Sequence, residues 1–171
     1  MDERQLVLNA KKGDSDAFCA LYSLYKDKLY RYAFYRLGVR EDAEDAVSDC
    51  VLSAFKQMNK LKKPEAFSSW LFTILRFSCN TFIESQKRTR EASNIEDVAN
   101  TLSTDLSNTI EKTELQQALS ILKDDEKEIV LMSVVFGFNS KEIAKTVSLT
   151  SGAVRSKLSR SLTKMREFLG E

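Results

Sequence analysis

Residues 139–169 read NSKEIAKTVSLTSGAVRSKLSRSLTKMREFL, and the order of residue types in this stretch decides the fold class. Ser140 is placed to cap a short helix that carries Ile143, Ala144 and Val147. A three-residue turn, Ser148-Leu149-Thr150, leads to a second capped helix from Ser151. Small Ala144 lets the two helices cross closely, while Val154 and Leu158 pack back onto the first. Such an arrangement is a helix-turn-helix, whose second helix keeps a free face that fits a DNA major groove. That face holds Ser151, Arg155, Ser156 and Ser159, with Lys157, Arg160 and Lys164 at its flanks, placed for phosphates. Small side chains at the first turn let the backbone approach the bases, and Arg155 reaches a guanine edge. Ser148 stands where such turns commonly place Gly, so a left-handed backbone there carries strain. The same pattern also suits a plain helical hairpin with a solvated basic face.

Upstream, one helix is expected over residues 111–122 and another opens at Asp124-Asp125, where the acids suit the positive end of the helix dipole. Ile129, Met132 and Phe136 point inward and Gly137 ends the second. Before these lies a stretch, 91–111, with Glu91, Glu96, Asp97, Asp105 and Glu111 and no Lys or Arg. It is rich in Ser, Thr and Asn and reads as a flexible acidic linker of net charge −5. Residues 1–90 carry sixteen basic and twelve acidic side chains, and residues 112–171 ten and eight, so two mildly basic blocks flank it.

The first block opens with Gly13-Asp14-Ser15, a stop and a cap, and runs without Pro or Gly to Gly38. Phe18, Leu21, Tyr22, Tyr25, Leu29, Tyr32, Ala33 and Leu37 recur at helical spacing. The next helix buries Ala43, Ala46, Val47, Cys50, Val51, Ala54, Phe55 and Met58, and its opposite face carries an acidic stripe, Asp42, Asp45 and Asp49. Residues 59–69 break the pattern with Pro64 and the basic residues Lys60, Lys62 and Lys63. A third long helix follows over residues 67–87, with Leu71, Ile74, Leu75, Ser78 and Phe82 inward. Its other side gathers Thr73, Arg76, Asn80, Glu84 and Lys87, with Trp70 and Phe77 beside them, and aromatics on a basic polar face call for either a neighbouring helix or a partner.

The whole is therefore expected to be all-α: two small helical domains, 1–90 and 112–171, joined by the linker 91–111. With 171 residues, 43% of them hydrophobic, there is material for such cores. Five Gly and one Pro are too few turn residues for a β-sandwich or barrel. The chain has no histidine, which removes Ser-His-Asp and Cys-His catalysis and every His-ligated metal site. There is no phosphate-binding glycine loop, so neither a cofactor nor a metal nor a small-molecule substrate is expected. Cys19, Cys50 and Cys79 lie about thirty residues apart on or beside apolar faces and read as buried reduced thiols. The opening MDERQLVLNAKKGD lacks the apolar core of a signal peptide, and no run is long enough to span a membrane, so a cytoplasmic location is expected.

Residues 122–169 resemble region 4 of the extracytoplasmic-function (ECF) sigma factors, a group within the sigma-70 family. The resemblance rests on Leu122-Lys123-Asp124-Asp125 and on EIVLMSVVFGFNSKEIAKTVSLTSGAVRSKLSR, whose last part is similar to the family's Gly, Val, basic, Ser, basic, Leu run. Independently, REDAEDAVSDCVLSAFKQM (residues 40–58) resembles the core-polymerase-binding helix of region 2. FSSWLFTILRFSCNTFIESQKR (residues 67–88) resembles the promoter-melting and −10 helix.

The resemblance implies a protein that is not an enzyme. It would bind core RNA polymerase, direct it to specific promoters and open the DNA, as a monomer outside the holoenzyme. Asp42, Asp45, Ser48 and Asp49 would then face the basic coiled coil of the polymerase β′ subunit, with Ser48 where the family often has Gln. Lys60, Lys62 and Lys63 would sit in the loop that captures a flipped −10 base. Thr73, Arg76, Phe77, Asn80, Lys87 and Arg88 would lie along the melted strand. Trp70 either packs the domain or stacks on a base. The family usually has Arg-Asn where this chain has Arg76-Phe77, and Asp at Thr81, which bears on the −10 sequence preferred. Ser151, Arg155, Ser156, Lys157, Ser159 and Arg160 would read the −35 element. Ile129, Met132 and Val135 lie at or under the surface for the polymerase β flap, the first two as core. An anti-sigma factor would be a further partner. A conventional helix-turn-helix regulator leaves the acidic stripe unexplained, and a helical adaptor leaves the basic recognition face unexplained.

Overall fold

A computed structural model describes residues 1–92 and 113–171, so the expected linker lies, apart from Glu91 and Ala92, outside the described residues. Among the described residues the elements are α-helices and two 3₁₀ turns, as an all-α reading requires. They are α1 (Glu3–Lys11), α2 (Ser15–Leu37), α3 (Arg40–Gln57), the turns Met58–Lys60 and Pro64–Ala66, and α4 (Phe67–Ala92). After the linker come α5 (Glu114–Ser120), α6 (Asp124–Val134), α7 (Ser140–Val147) and α8 (Ser151–Leu169). The chain divides into two compact units, Met1–Thr81 and Phe82–Glu171, the division falling inside α4.

In the first unit Asp14 caps α2, its carboxylate accepting from the Asp16 and Ala17 amides, and Gly38 ends it at φ 80°. The chain turns at once into α3, which lies against α2. Leu21, Leu29, Tyr32 and Ala33 of α2 meet Ala43, Ala46, Cys50 and Ala54 of α3 in a core closed by α4. Alanine at three of those four α3 positions is what lets the helices come close. Aromatic rings make the joint with α4: Tyr25 meets Phe67 edge-on at 5.4 Å and Tyr32 meets Phe72 at 4.9 Å. Buried Arg36, at the end of α2, donates to the Tyr32 hydroxyl (3.2 Å) and to the side-chain oxygen Oδ1 of Asn80 (2.6 Å).

The inward face of α4 differs from the expected one. Phe67, Leu71, Phe72, Leu75 and Cys79 are buried, whereas Ile74, Ser78 and Phe82 are half-buried. The face is turned toward Phe72 because an aromatic ring there fills the space beside Tyr32, which the β-branched Ile74 cannot reach from its side of the helix. Cys50 and Cys79 are buried as expected, and burial pushes the Cys50 thiol up to about 12, so it is inert. Cys19 is exposed, on the outer side of α2, which corrects the reading of three buried thiols. Helix α1, unmarked in the sequence reading, is capped by Asp2 and buries Val7 and Ala10 against α2. It is tied down by an ion pair from Arg4 to Glu65 and by a hydrogen bond from the Tyr25 hydroxyl to Glu3.

In the second unit α5 begins at Glu114 behind a capping box of Thr113 and Gln116, so it is shorter than the 111–122 expected. Ile129, Met132 and Phe136 are buried, as their spacing indicated. Helices α7 and α8 form the helix-turn-helix, with Ile143 and Val154 in the joint. The cap of α7 sits one residue earlier than expected: Asn139 rather than Ser140, in a reciprocal pair with Glu142, whereas α8 starts at Ser151 as expected, capped by Thr150. Asn and Thr each lie just outside the first helical turn, where a side-chain oxygen can reach the third amide. Ser148 is left-handed at φ 58°, the only non-glycine among the described residues at positive φ.

Candidate nucleic-acid interface

Helix α8 presents a face with small residues between two guanidinium groups. Val154, Ser161 and Met165 are turned into the unit, which leaves Arg155, Ser156, Ser159 and Arg160 exposed around a shallow open recess. Ser151 and Gly152 are half-buried at the first turn. An α-helix with an exposed outer side of this kind can enter a groove deeply, with both arginines free to reach base edges or phosphates.

Lys157 is placed differently. Its ammonium donates to Asp125 of α6 at 2.5 Å, so in this state it is engaged within the unit rather than held out for a phosphate. Lys164, one heptad on, donates to Glu126 at 3.0 Å. Glu126 is buried and also accepts from the Ser161 hydroxyl (3.3 Å) and the Lys123 amide (3.1 Å). Both carboxyls are held below their ordinary values, Asp125 chiefly by the Lys157 hydrogen bond and Glu126 chiefly by the Lys164 one.

On the first unit, Lys60, Lys62 and Lys63 are exposed around the two 3₁₀ turns. Along α4, Phe77 is 72% exposed, an aromatic ring in water beside exposed Thr73 and half-buried Arg76. The Thr73 hydroxyl is used by the Ser69 carbonyl (2.9 Å) and Asn80 by Arg36, so Phe77 is the side chain of this group most open to a partner. Trp70 is half-buried with its ring 6.0 Å from Phe67, which joins it to the core side. Lys87 and Arg88 are exposed further along the helix.

The acidic stripe of α3 is present, with Asp45, Ser48 and Asp49 exposed and Asp42 half-buried. Beside it lies a recess the sequence reading missed, lined by Phe18, Tyr22, Val47, Ser48, Val51, Leu52 and Phe55. Tyr22, Leu52 and Phe55 stand exposed at its edge although Phe55 touches Phe18 at 5.2 Å. The signal was available: Leu52 falls three and seven residues after Asp49 and Asp45, on the stripe's own face.

Comparison with known proteins agrees with this geometry. Residues 21–89 match the family model for sigma-70 region 2, and residues 112–165 match that for sigma-70 region 4. The chain is 28% identical to the ECF RNA polymerase sigma factor BldN of Streptomyces coelicolor, over 96% of this chain and 65% of that one. It is 24% identical to the ECF RNA polymerase sigma factor SigW of Bacillus subtilis, over 97% of this chain and 96% of that one. Among solved structures, CnrH in complex with the cytosolic domain of CnrY shares the fold with a TM-score of 0.73 at 19% identity, covering 98% of this chain and 97% of that one. The sigma factor RpoE in complex with the anti-sigma factor NepR, from Bartonella quintana, does so at 0.69 and 20%, covering 90% and 96%.

Proposed function

The chain belongs to the sigma-70 family, among its ECF RNA polymerase sigma factors, and from that premise we propose how its surfaces share the work of promoter-specific transcription initiation. The observation that carries the reading is the exposed α8 face, Arg155, Ser156, Ser159 and Arg160, on a helix-turn-helix behind a region 2 unit. Residues 112–171 bind the −35 element through Ser151, Arg155, Ser156, Ser159 and Arg160, while Lys157, at the edge of that face, is engaged by Asp125. Residues 1–90 bind the −10 element and promote its melting through Lys60, Lys62, Lys63, Thr73, Arg76, Phe77, Asn80, Lys87 and Arg88. Residues 91–111 join the two. The exposure of Phe77 supports base stacking along the displaced strand, which every base offers regardless of sequence.

Core RNA polymerase is the main partner. The carboxylates of Asp42, Asp45 and Asp49, with Ser48, attract a basic helical surface on the polymerase, and Tyr22, Leu52 and Phe55 add apolar area beside them. Val135 is half-buried and Val134 is 67% exposed at the end of α6, a small apolar surface for the polymerase flap. An anti-sigma factor competing for these faces fits the same chemistry, and RpoE of Bartonella quintana was solved with one. The protein contributes binding and positioning rather than a chemical step, and works in the cytoplasm beside the polymerase.

A net charge of +1 gives little phosphate neutralisation. The free protein is therefore expected to bind promoter DNA weakly and the holoenzyme tightly. An electrophoretic shift with and without core polymerase tests this: nanomolar promoter binding by the free protein at physiological salt would refute it.

A further inference from the structure

We propose that Asp125 is a built-in competitor for promoter phosphate: by holding Lys157 it withholds one cation at the edge of the recognition helix and so lowers the −35 affinity of the holoenzyme. The inference rests on the sigma-factor reading above and adds to it a residue outside the recognition helix that sets affinity.

The geometry separates two pairs that look alike in sequence. Lys157 and Lys164 lie seven residues apart on the same flank of α8, between its buried edge and the exposed arginine face. Each meets one of two adjacent acids in the first turn of α6. Glu126 is a brace. Its side chain is 10% exposed, and with bonds from Lys164, Ser161 and the Lys123 amide it holds α8 on α6. Asp125 has a side chain 54% exposed, and Lys157 one 32% exposed, so their bond is at the surface.

An exposed pair of this kind is weak, because water and salt screen it. A flexible lysine stem lets the ammonium leave it for another anion without moving the helix. The Asp125 carboxylate, already in place, thus denies this ammonium to a phosphate arriving at the same edge of α8. Arg155 and Arg160, exposed on the outer face, are not subject to that rivalry.

The test uses holoenzyme and a labelled promoter, beside a matched probe with the −35 element replaced, titrated from about 50 to 200 mM salt. Asp125→Asn is expected to bind the promoter several-fold more tightly at low salt. Its plot of log affinity against log salt should steepen by about 0.9, the slope of one added phosphate contact. Adding Lys157→Met to Asp125→Asn should abolish both changes. Asp125→Asn with the wild-type slope would overturn the proposal, since Lys157 would then be a brace like Lys164. Lys157→Met alone guards against a misfolded Asp125 variant. It should leave the slope near wild type, and a slope shallower by about 0.9 would overturn the proposal, because Lys157 would already be on a phosphate. Wild-type holoenzyme that fails to distinguish the two probes would instead refute the −35 reading, and this proposal with it.

Discussion

Ser148 carries the clearest backbone strain among the described residues. It ends α7 at φ 58°, where its Cβ crowds the following carbonyl oxygen, and it does so in the turn that sets the angle between the two helices. Ser148→Gly should stabilise the protein by about 0.5–1 kcal/mol, and Ser148→Val should destabilise it by more, both read from chemical denaturation. Equal effects of the two would show that the turn is not left-handed in solution. The residue was legible because its neighbours impose a helix, a short turn and a helix, and the position after the first helix is the one a glycine usually fills. The cap at Asn139 was less legible, because Asn-Ser offers two competent capping side chains in a row and only the backbone decides between them.

At the scale of elements, α4 tests how far periodicity reaches. Leu71 and Leu75 lie on both the expected and the observed inward face, and the choice between Ile74 and Phe72 as their companion depended on where the Tyr32 ring stands, which no spacing within α4 contains. Phe72→Ala should cost about 3–5 kcal/mol, and Ile74→Ala distinctly less. The reverse order in urea denaturation would contradict the packing described. Helix α1 was missed for a related reason. It is short and mostly polar, and tertiary contacts through Val7, Ala10 and Glu3 stabilise it rather than a strong apolar stripe. The contact of α6 with α8 has a pH signature. Asp125 and Glu126 titrate below their ordinary values in the folded state, so the stability they contribute is complete above the unfolded carboxylate range, near pH 4. It is lost as pH falls through their lower folded values. Stability from this contact should thus be level between about pH 7 and 5 and decline below about pH 4. Asp125→Asn/Glu126→Gln should shrink that acid decline, and an unchanged decline would assign it to other groups.

For the whole molecule, charge is distributed rather than accumulated. Two mildly basic blocks flank an acidic stretch in a chain of net +1, which suits a protein brought to DNA by a larger partner more than one that finds it alone. The helix-turn-helix and the acidic stripe were readable from local spacing, since each lies on one or two neighbouring helices. Of the apolar recess only Leu52 was, on the stripe's own face; Phe18, Tyr22 and Phe55 were not, because the recess is made by α2 and α3 together and Phe55 sits on a stripe that otherwise faces the core. Both the stripe and the recess belong to the surface proposed for core polymerase. The most direct measurement is therefore run-off transcription by purified core RNA polymerase on a pooled promoter library. Wild-type protein would be compared with Asp45→Arg/Asp49→Arg, two exposed positions whose reversal leaves the core untouched. The account predicts initiation from a defined promoter subset with the wild type and its loss, with loss of core binding, in the variant. Initiation by the variant at the wild-type level, or none by wild-type protein that also fails to bind core, would contradict it.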